Sequence, residues 1–440
     1  MLQVICPRFL VPVRPRSRVF ENWAIVIDTE NGEVVALGES ASLIRRFPRA
    51  EQVNLKEHAL IPGLINMHTH SPMTLLRGYA DDLKLDDWLQ NHIWPAEQRW
   101  ANEEFVTDGT RLALVEMLRS GTTCFSENYF FPDRIAAEAE RAGIRATVGI
   151  PVIEFETAWA DSIDQYIGKG IELEQDYRAS KRINFSFAPH ALYSVPRTAL
   201  EQVVRHAEQL GLKIHLHLLE TAWEIDHARA QGYGHPLELA RQLGMLNPGL
   251  LAVHMVHLED SDIDLLADTG ANVIHCPHSN LKLASGMCRL ADLVAQGVNV
   301  AVGTDGVAAN NTLSMFDEIR TAALLAKGRT QDPEVVDAMT ALEMATINGA
   351  RALGMEQTIG SIEKGKQADL CAIDFRHART QPVHDVISHL VYAAPGHQVS
   401  DIWVAGQQLL KQGELTTLDE HRILDKASAW AMKMSAGAFS

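Results

Sequence analysis

From about residue 58 onward, the chain alternates short apolar runs with longer stretches whose apolar residues recur every three or four positions. The short runs cover 60–67, 122–126, 145–152, 183–188, 213–218, 251–255, 272–276 and 299–303, and their length and content predict strands. Between them, EEFVTDGTRLALVEMLRSG, RTALEQVVRHAEQLG and SDIDLLADTG have helical periodicity. Each closes on a glycine, where a helix C-terminus favours a left-handed residue. Eight strand-plus-helix units in succession predict an α/β chain folded as a (β/α)8 TIM barrel rather than an open doubly wound sheet. No GxGxxG follows the first strand, which removes the best mark of a dinucleotide-binding fold.

The two ends are patterned differently. NWAIVID, the turn TENG and EVVALG read as a β-hairpin, and DLCAID, DIWVAG and QQLLKQG read as further strands with turns. The expectation is three segments: 1–57 as the N-terminal part of a small β-sandwich, 58–355 as the barrel, and 356–440 as the C-terminal part of the sandwich plus terminal helices.

Composition adds exclusions. The 440 residues are 46% hydrophobic and 22% charged, which is ordinary for a globular protein. A net charge of −17 leaves no excess of Lys and Arg for nucleic acid or an anionic membrane, but it does not exclude a nucleoside. No apolar run is long enough to span a bilayer, and the N-terminus has a Pro-Arg cluster where a signal peptide needs small residues. The five cysteines are scattered and without CxxC spacing, as expected of reduced thiols in a cytoplasmic protein.

The chemistry-bearing residues fall at strand ends. The first strand ends in His68-Thr69-His70, and the fourth leads into APHALYSVP with His190. The fifth carries His217 and is followed by Glu220, the sixth ends in His254, the seventh runs into HCPHSN, and the eighth ends in GTDG with Asp305. In a barrel all these ends face one mouth. Side chains alternate along a strand, so His68 and His70 point the same way and can chelate one ion. HxH alone would equally fit two unremarkable histidines; His217 and Asp305 at other strand ends favour the metal reading. Nitrogen and carboxylate donors suit one divalent ion, zinc first, with iron or manganese as alternatives.

Glu220 sits where a carboxylate can shuttle protons, although a glutamate at a helix start is also common. His254 is the preferred residue for polarising substrate, with His257 as its competitor. His215 reads as a packed barrel histidine, and the roles of His275 and His278 stay open. The acidic, Trp-rich segment LRGYADDLKLDDWLQNHIWPAEQRW reads either as a lid presenting Trp88 to a flat ring and Glu97 to hydroxyls, or as an amphipathic helix burying Trp88 and Trp94.

PGLINMHTH, HLHLLET, HMVHL, HCPHSNLKLASG and GTDG, in this order, resemble the amidohydrolase superfamily, and within it the 5-methylthioadenosine/S-adenosylhomocysteine deaminase group. The resemblance spans nearly the whole chain, including the split sandwich and the GSIEKGKQADL segment. It is specific for the superfamily and less so for substrate, since guanine deaminases and chlorotriazine hydrolases share these motifs. It implies His68, His70, His217 and Asp305 as ligands of one metal ion per subunit, Glu220 as proton shuttle and His254 as the histidine beyond the sixth strand. Glu97 in WPAEQRW resembles the glutamate that binds ribose hydroxyls, His190 a substrate-contacting histidine, and Trp88 a residue near the base. Close relatives tend to read Asp-Met-Tyr-Phe after the second strand, where this chain has Glu127-Asn128-Tyr129-Phe130.

The implied function is metal-dependent hydrolytic deamination of an adenine nucleoside (5′-methylthioadenosine, S-adenosylhomocysteine or adenosine) by a homo-oligomer, with Asp305 as both ligand and proton acceptor. The competing readings are a deaminase or dechlorinase for guanine, an oxidised purine or a triazine, and a non-catalytic binding or assembly protein. An intact ligand set argues against the last.

Overall fold

In the computed structural model, which describes residues 1–437, eight parallel strands follow one another in chain order. They are β1 (Leu64–Thr69), β2 (Thr122–Glu127), β3 (Arg145–Val152), β4 (Ile183–Pro189), β5 (Lys213–Leu218), β6 (Leu250–His254), β7 (Asn272–His275) and β8 (Val300–Val302). Nearly every residue on them is buried, as expected where side chains cover both faces of a parallel sheet. The chain returns from β8 to β1 through the Asp305 amide, which donates to the His68 carbonyl at 2.9 Å. Gly303 permits this approach, because a Cβ there would lie 2.6 Å from the His68 amide nitrogen. The result is a TIM-type barrel.

The helices begin and end where the sequence marks them. Glu103–Arg119 starts on Asn102, whose side chain accepts from the Phe105 amide at 3.0 Å. Arg197–Leu210 and Asp260–Thr269 stop at Gly211 and Gly270, both left-handed.

The ends of the chain form a separate nine-stranded sheet. Trp23–Asp28 and Glu33–Glu39 pair as the expected hairpin, with Asp28 opposite Glu33. The two ends of the chain meet where Leu370–Asp374 runs antiparallel to Glu51–Pro62. Ile5, Leu10, Ile25, Ile27, Leu60 and Trp403 pack on one another as part of its core.

One strand assignment is corrected. The run 60–67 reads as a single strand, but residues 60–62 finish Glu51–Pro62 of the terminal sheet, and β1 begins after Gly63. Both halves are buried, so no change of hydrophobic period marks the break. The sheets are tied together at this point by Arg145 of β3, whose guanidinium donates to both Asp369 oxygens at 2.9 and 3.1 Å, with both residues buried.

Candidate active site

The C-terminal ends of the strands share one mouth, and the backbone there is unusual. Leu219, His254, Met255 and Asp305 all have positive φ without being glycine. Left-handed non-glycine residues are costly and collect where a site demands a particular side-chain direction.

Four donor side chains converge. The Nε2 atoms of His68 and His70 each lie 3.3 Å from Asp305 Oδ1, and His217 Nε2 lies 3.2 Å from His68 Nε2. The far side of each imidazole is engaged. His217 Nδ1 donates to the His190 carbonyl at 2.7 Å, and His70 Nδ1 donates to the Asn128 carbonyl. Since carbonyls only accept, these contacts place the proton on Nδ1 and leave a bare Nε2 facing inward. His68 Nδ1 meets His215 Nε2 at 2.8 Å, and His215 Nδ1 meets Ser126 Oγ at 3.2 Å, a chain that can fix the same tautomer. Burial lowers the pKa of His70 and His217, and takes that of His68 to about 4, so all three favour the neutral form. Three lone pairs and a carboxylate facing one another form a donor set that fits a divalent metal.

Beside this cluster, His254 Nε2 stands 3.6 Å from Glu220 Oε2, and His254 Nδ1 donates to Asn280 Oδ1 at 2.9 Å. Burial raises the Glu220 pKa. For His254 burial acts downward, but the charges of Glu220 and Asp305 outweigh it and leave its pKa raised. The Ser285 hydroxyl donates to Glu220 at 3.3 Å and the Ser279 hydroxyl to Asp305 Oδ2 at 2.5 Å.

One pocket is lined by His70, His217, His254, Glu220, Asp305, His190, Glu97 and Trp88. His68 lies behind them, fully buried. The Trp-rich segment is helical in three short pieces, Leu85–Asp87, Trp88–Ile93 and Trp94–Trp100, and Trp88 is buried while still lining the pocket. Trp94 is only partly buried, so the expected burial of both tryptophans holds for Trp88 alone. Burial pushes the Glu97 carboxyl up to about 7 and lowers His190 to about 4. His190 Nδ1 contacts Ser194 Oγ at 2.7 Å.

The remaining histidines lie outside this cluster or behind it. His215 is fully buried behind His68. His257 is held by the Ser285 carbonyl at 2.8 Å and does not line the pocket. His278 turns away to Glu318 at 2.6 Å and Thr321 at 3.0 Å, and His275 is buried without a partner for Nδ1.

The sequence marks Glu127-Asn128, at the end of β2, only as a departure from relatives. The Glu127 carboxylate, whose pKa burial raises to about 7, accepts from Thr69 Oγ1 at 2.9 Å and from the amides of Ser71 and Asn128. It thereby braces the turn that carries His70. Asn128 and Tyr129 line the pocket; Asn128 Nδ2 lacks a hydrogen-bond partner among the described residues, and the Tyr129 hydroxyl interacts with the Glu97 carboxyl. A motif search for charged and metal-binding residues passes over such groups.

A parallel barrel with three imidazoles and an aspartate at the mouth defines a class of metal-dependent hydrolases. The chain belongs to the amidohydrolase family, whose profile matches residues 59–409. It is 47% identical over 428 residues to a 5-methylthioadenosine/S-adenosylhomocysteine deaminase of Teredinibacter turnerae, covering 97% of this chain and 96% of that one. A 5′-deoxyadenosine deaminase of Methanosarcina barkeri is 40% identical, at 97% and 96% coverage. Among solved structures, an adenosine deaminase from Xanthomonas campestris with bound zinc superposes with a TM-score of 0.97 at 48% identity, covering 99% and 98% of the two chains.

Proposed function

We propose that the protein hydrolytically deaminates an adenine nucleoside, 5′-methylthioadenosine, S-adenosylhomocysteine or adenosine, to the inosine analogue and ammonia. The observation that carries this reading is the convergence of His68, His70, His217 and Asp305 beside a facing Glu220–His254 pair in one pocket. The four converging residues would hold one divalent ion per subunit, with zinc the first choice and iron or manganese as alternatives. Such an ion would supply Lewis acidity and bring the pKa of water down toward ~7.

The chain's own groups divide the remaining work. Asp305 takes a proton from the attacking water. Glu220, whose pKa burial raises above the ordinary carboxyl value, delivers a proton to the ring nitrogen beside the attacked carbon, making that carbon more electrophilic. His254 donates toward the oxygen that bonds to the carbon, and Asn280 holds it in the orientation to do so. Asp305 then passes its proton to the amino group, the carbon–nitrogen bond breaks and ammonia leaves, while the hydroxyl proton returns to Glu220 as the carbonyl forms. Trp88 packs on the purine, His190 contacts it, and Glu97 accepts from the ribose hydroxyls.

Steady-state ammonia release from methylthioadenosine, S-adenosylhomocysteine and adenosine, compared with guanine, tests this reading. Turnover of a nucleoside well above that of guanine supports it. Preferred turnover of guanine, another free purine or a triazine overturns it.

At the molecular level, we place the barrel at 58–355, with 1–57 as the N-terminal part of a β-sandwich and 356–440 as its C-terminal part plus terminal helices; the strand Glu51–Pro62 straddles the first limit. Among the described residues no helix is long and apolar enough to cross a membrane. We propose a cytoplasmic homo-oligomer acting on a small molecule, with no role on nucleic acid or membrane.

A further inference from the structure

Phe155 is a large aromatic residue left 43% exposed, and Trp94 stands against it with ring centroids 6.2 Å apart. Both residues line two spaces at once: the pocket that contains Glu220, and an open groove bordered by Gln98 and Glu156. Glu97 and Phe130 line both as well, so the groove continues the pocket beyond Glu97. No Lys or Arg is among the described residues lining either space, and the charged side chains of the groove are Glu97 and Glu156 alone.

We propose that this groove receives the 5′ substituent of the nucleoside and selects neutral, apolar substituents over amino-acid tails. The inference rests on the reading above, in which the purine faces Glu220 and the ribose faces Glu97. With those ends fixed, the 5′ carbon leaves toward Trp94 and Phe155. A thioether or alkyl group covers the exposed aromatic faces and loses no hydrogen bond by doing so. An amino-acid tail finds an acid for its ammonium but no cation for its carboxylate, which lies against aromatic rings beside the Glu156 carboxylate.

The test is kcat/KM from ammonia release with 5′-methylthioadenosine, 5′-butylthioadenosine and S-adenosylhomocysteine, for the wild-type enzyme and for Glu156→Arg and Phe155→Ala. The two alkylthio nucleosides are expected to exceed S-adenosylhomocysteine by ~10-fold or more, the scale of leaving one charged group unpaired. Glu156 is exposed, so its replacement does not threaten the fold. Glu156→Arg provides the missing cation and narrows that ratio several-fold. Phe155→Ala lowers the value for the butylthio substrate more than for the methylthio one. Equal turnover of all three by the wild-type enzyme, or an unchanged ratio in Glu156→Arg, overturns the groove assignment and leaves the nucleoside reading standing. Absence of ammonia from every nucleoside is a separate result and overturns both.

Discussion

Glu220 and His254 face each other across 3.6 Å, and their environments move both pKa values upward for different reasons. Burial raises the carboxyl; for the imidazole burial acts downward, and the neighbouring Glu220 and Asp305 charges overcome it. Both shifts run upward from the ordinary values, and shifts of this kind are how groups that exchange protons are tuned. Replacing Glu220 by Gln keeps the shape and removes the proton carrier. Turnover is expected to fall by roughly 10²–10⁴ with metal content retained; a Glu220→Gln enzyme with full activity contradicts the assignment.

Glu97 makes a second prediction at this scale. With its pKa near 7, the carboxyl gains a proton as pH falls through that value and gives up acceptor capacity. kcat/KM for ribonucleosides is therefore expected to decline below about pH 7, and Glu97→Gln should remove that acidic limb from the pH profile. A profile unchanged by the substitution argues against contact between Glu97 and ribose.

Among the elements, the short helix Pro277–Lys282 and the turn after it do more than their histidines suggest. Ser279 binds Asp305, Asn280 binds His254 and Ser285 binds Glu220, so one segment fixes three side chains from other strand ends. HCPHSN draws attention to His275 and His278, yet His278 is committed to Glu318 outside the pocket. The metal-binding candidates were legible because HxH and strand-end placement follow from the two-residue period of a strand and the polarity of a barrel. The residues that hold them in place were not. Ser279 and Asn280 act through contacts 26 residues away in the chain, and neutral polar side chains have no signature in a single sequence. Asn280→Ala frees the His254 ring, and turnover is expected to drop ~10- to 100-fold while the metal stays bound. Equal loss of metal and activity would instead mark Asn280 as part of the fold alone.

At the level of the whole molecule, the two sheets share one strand boundary and one buried ion pair. The apolar pattern hides the boundary, because Leu60 and Ile61 on one side of Gly63 and Leu64 and Ile65 on the other are all buried, though in different sheets. The pairing of chain ends was legible from the strand patterns at both termini, whereas Arg145–Asp369, joining residues 224 positions apart, was not. Replacing Arg145 by Met strands a buried carboxylate, and the expected loss is ~3–5 kcal/mol of stability in chemical denaturation. A loss below ~1 kcal/mol would mean that water reaches Asp369 and that the junction is looser than its burial implies.

The proposed deamination depends on a cation held where three strand ends meet. Elemental analysis of the purified wild-type protein, beside a folded His217→Ala/Asp305→Ala variant, measures this directly. About one divalent ion per chain in the wild type, lost from the variant together with ammonia release, is the predicted result. A wild-type enzyme that deaminates nucleosides without a stoichiometric metal, or a variant that keeps the full complement, contradicts it.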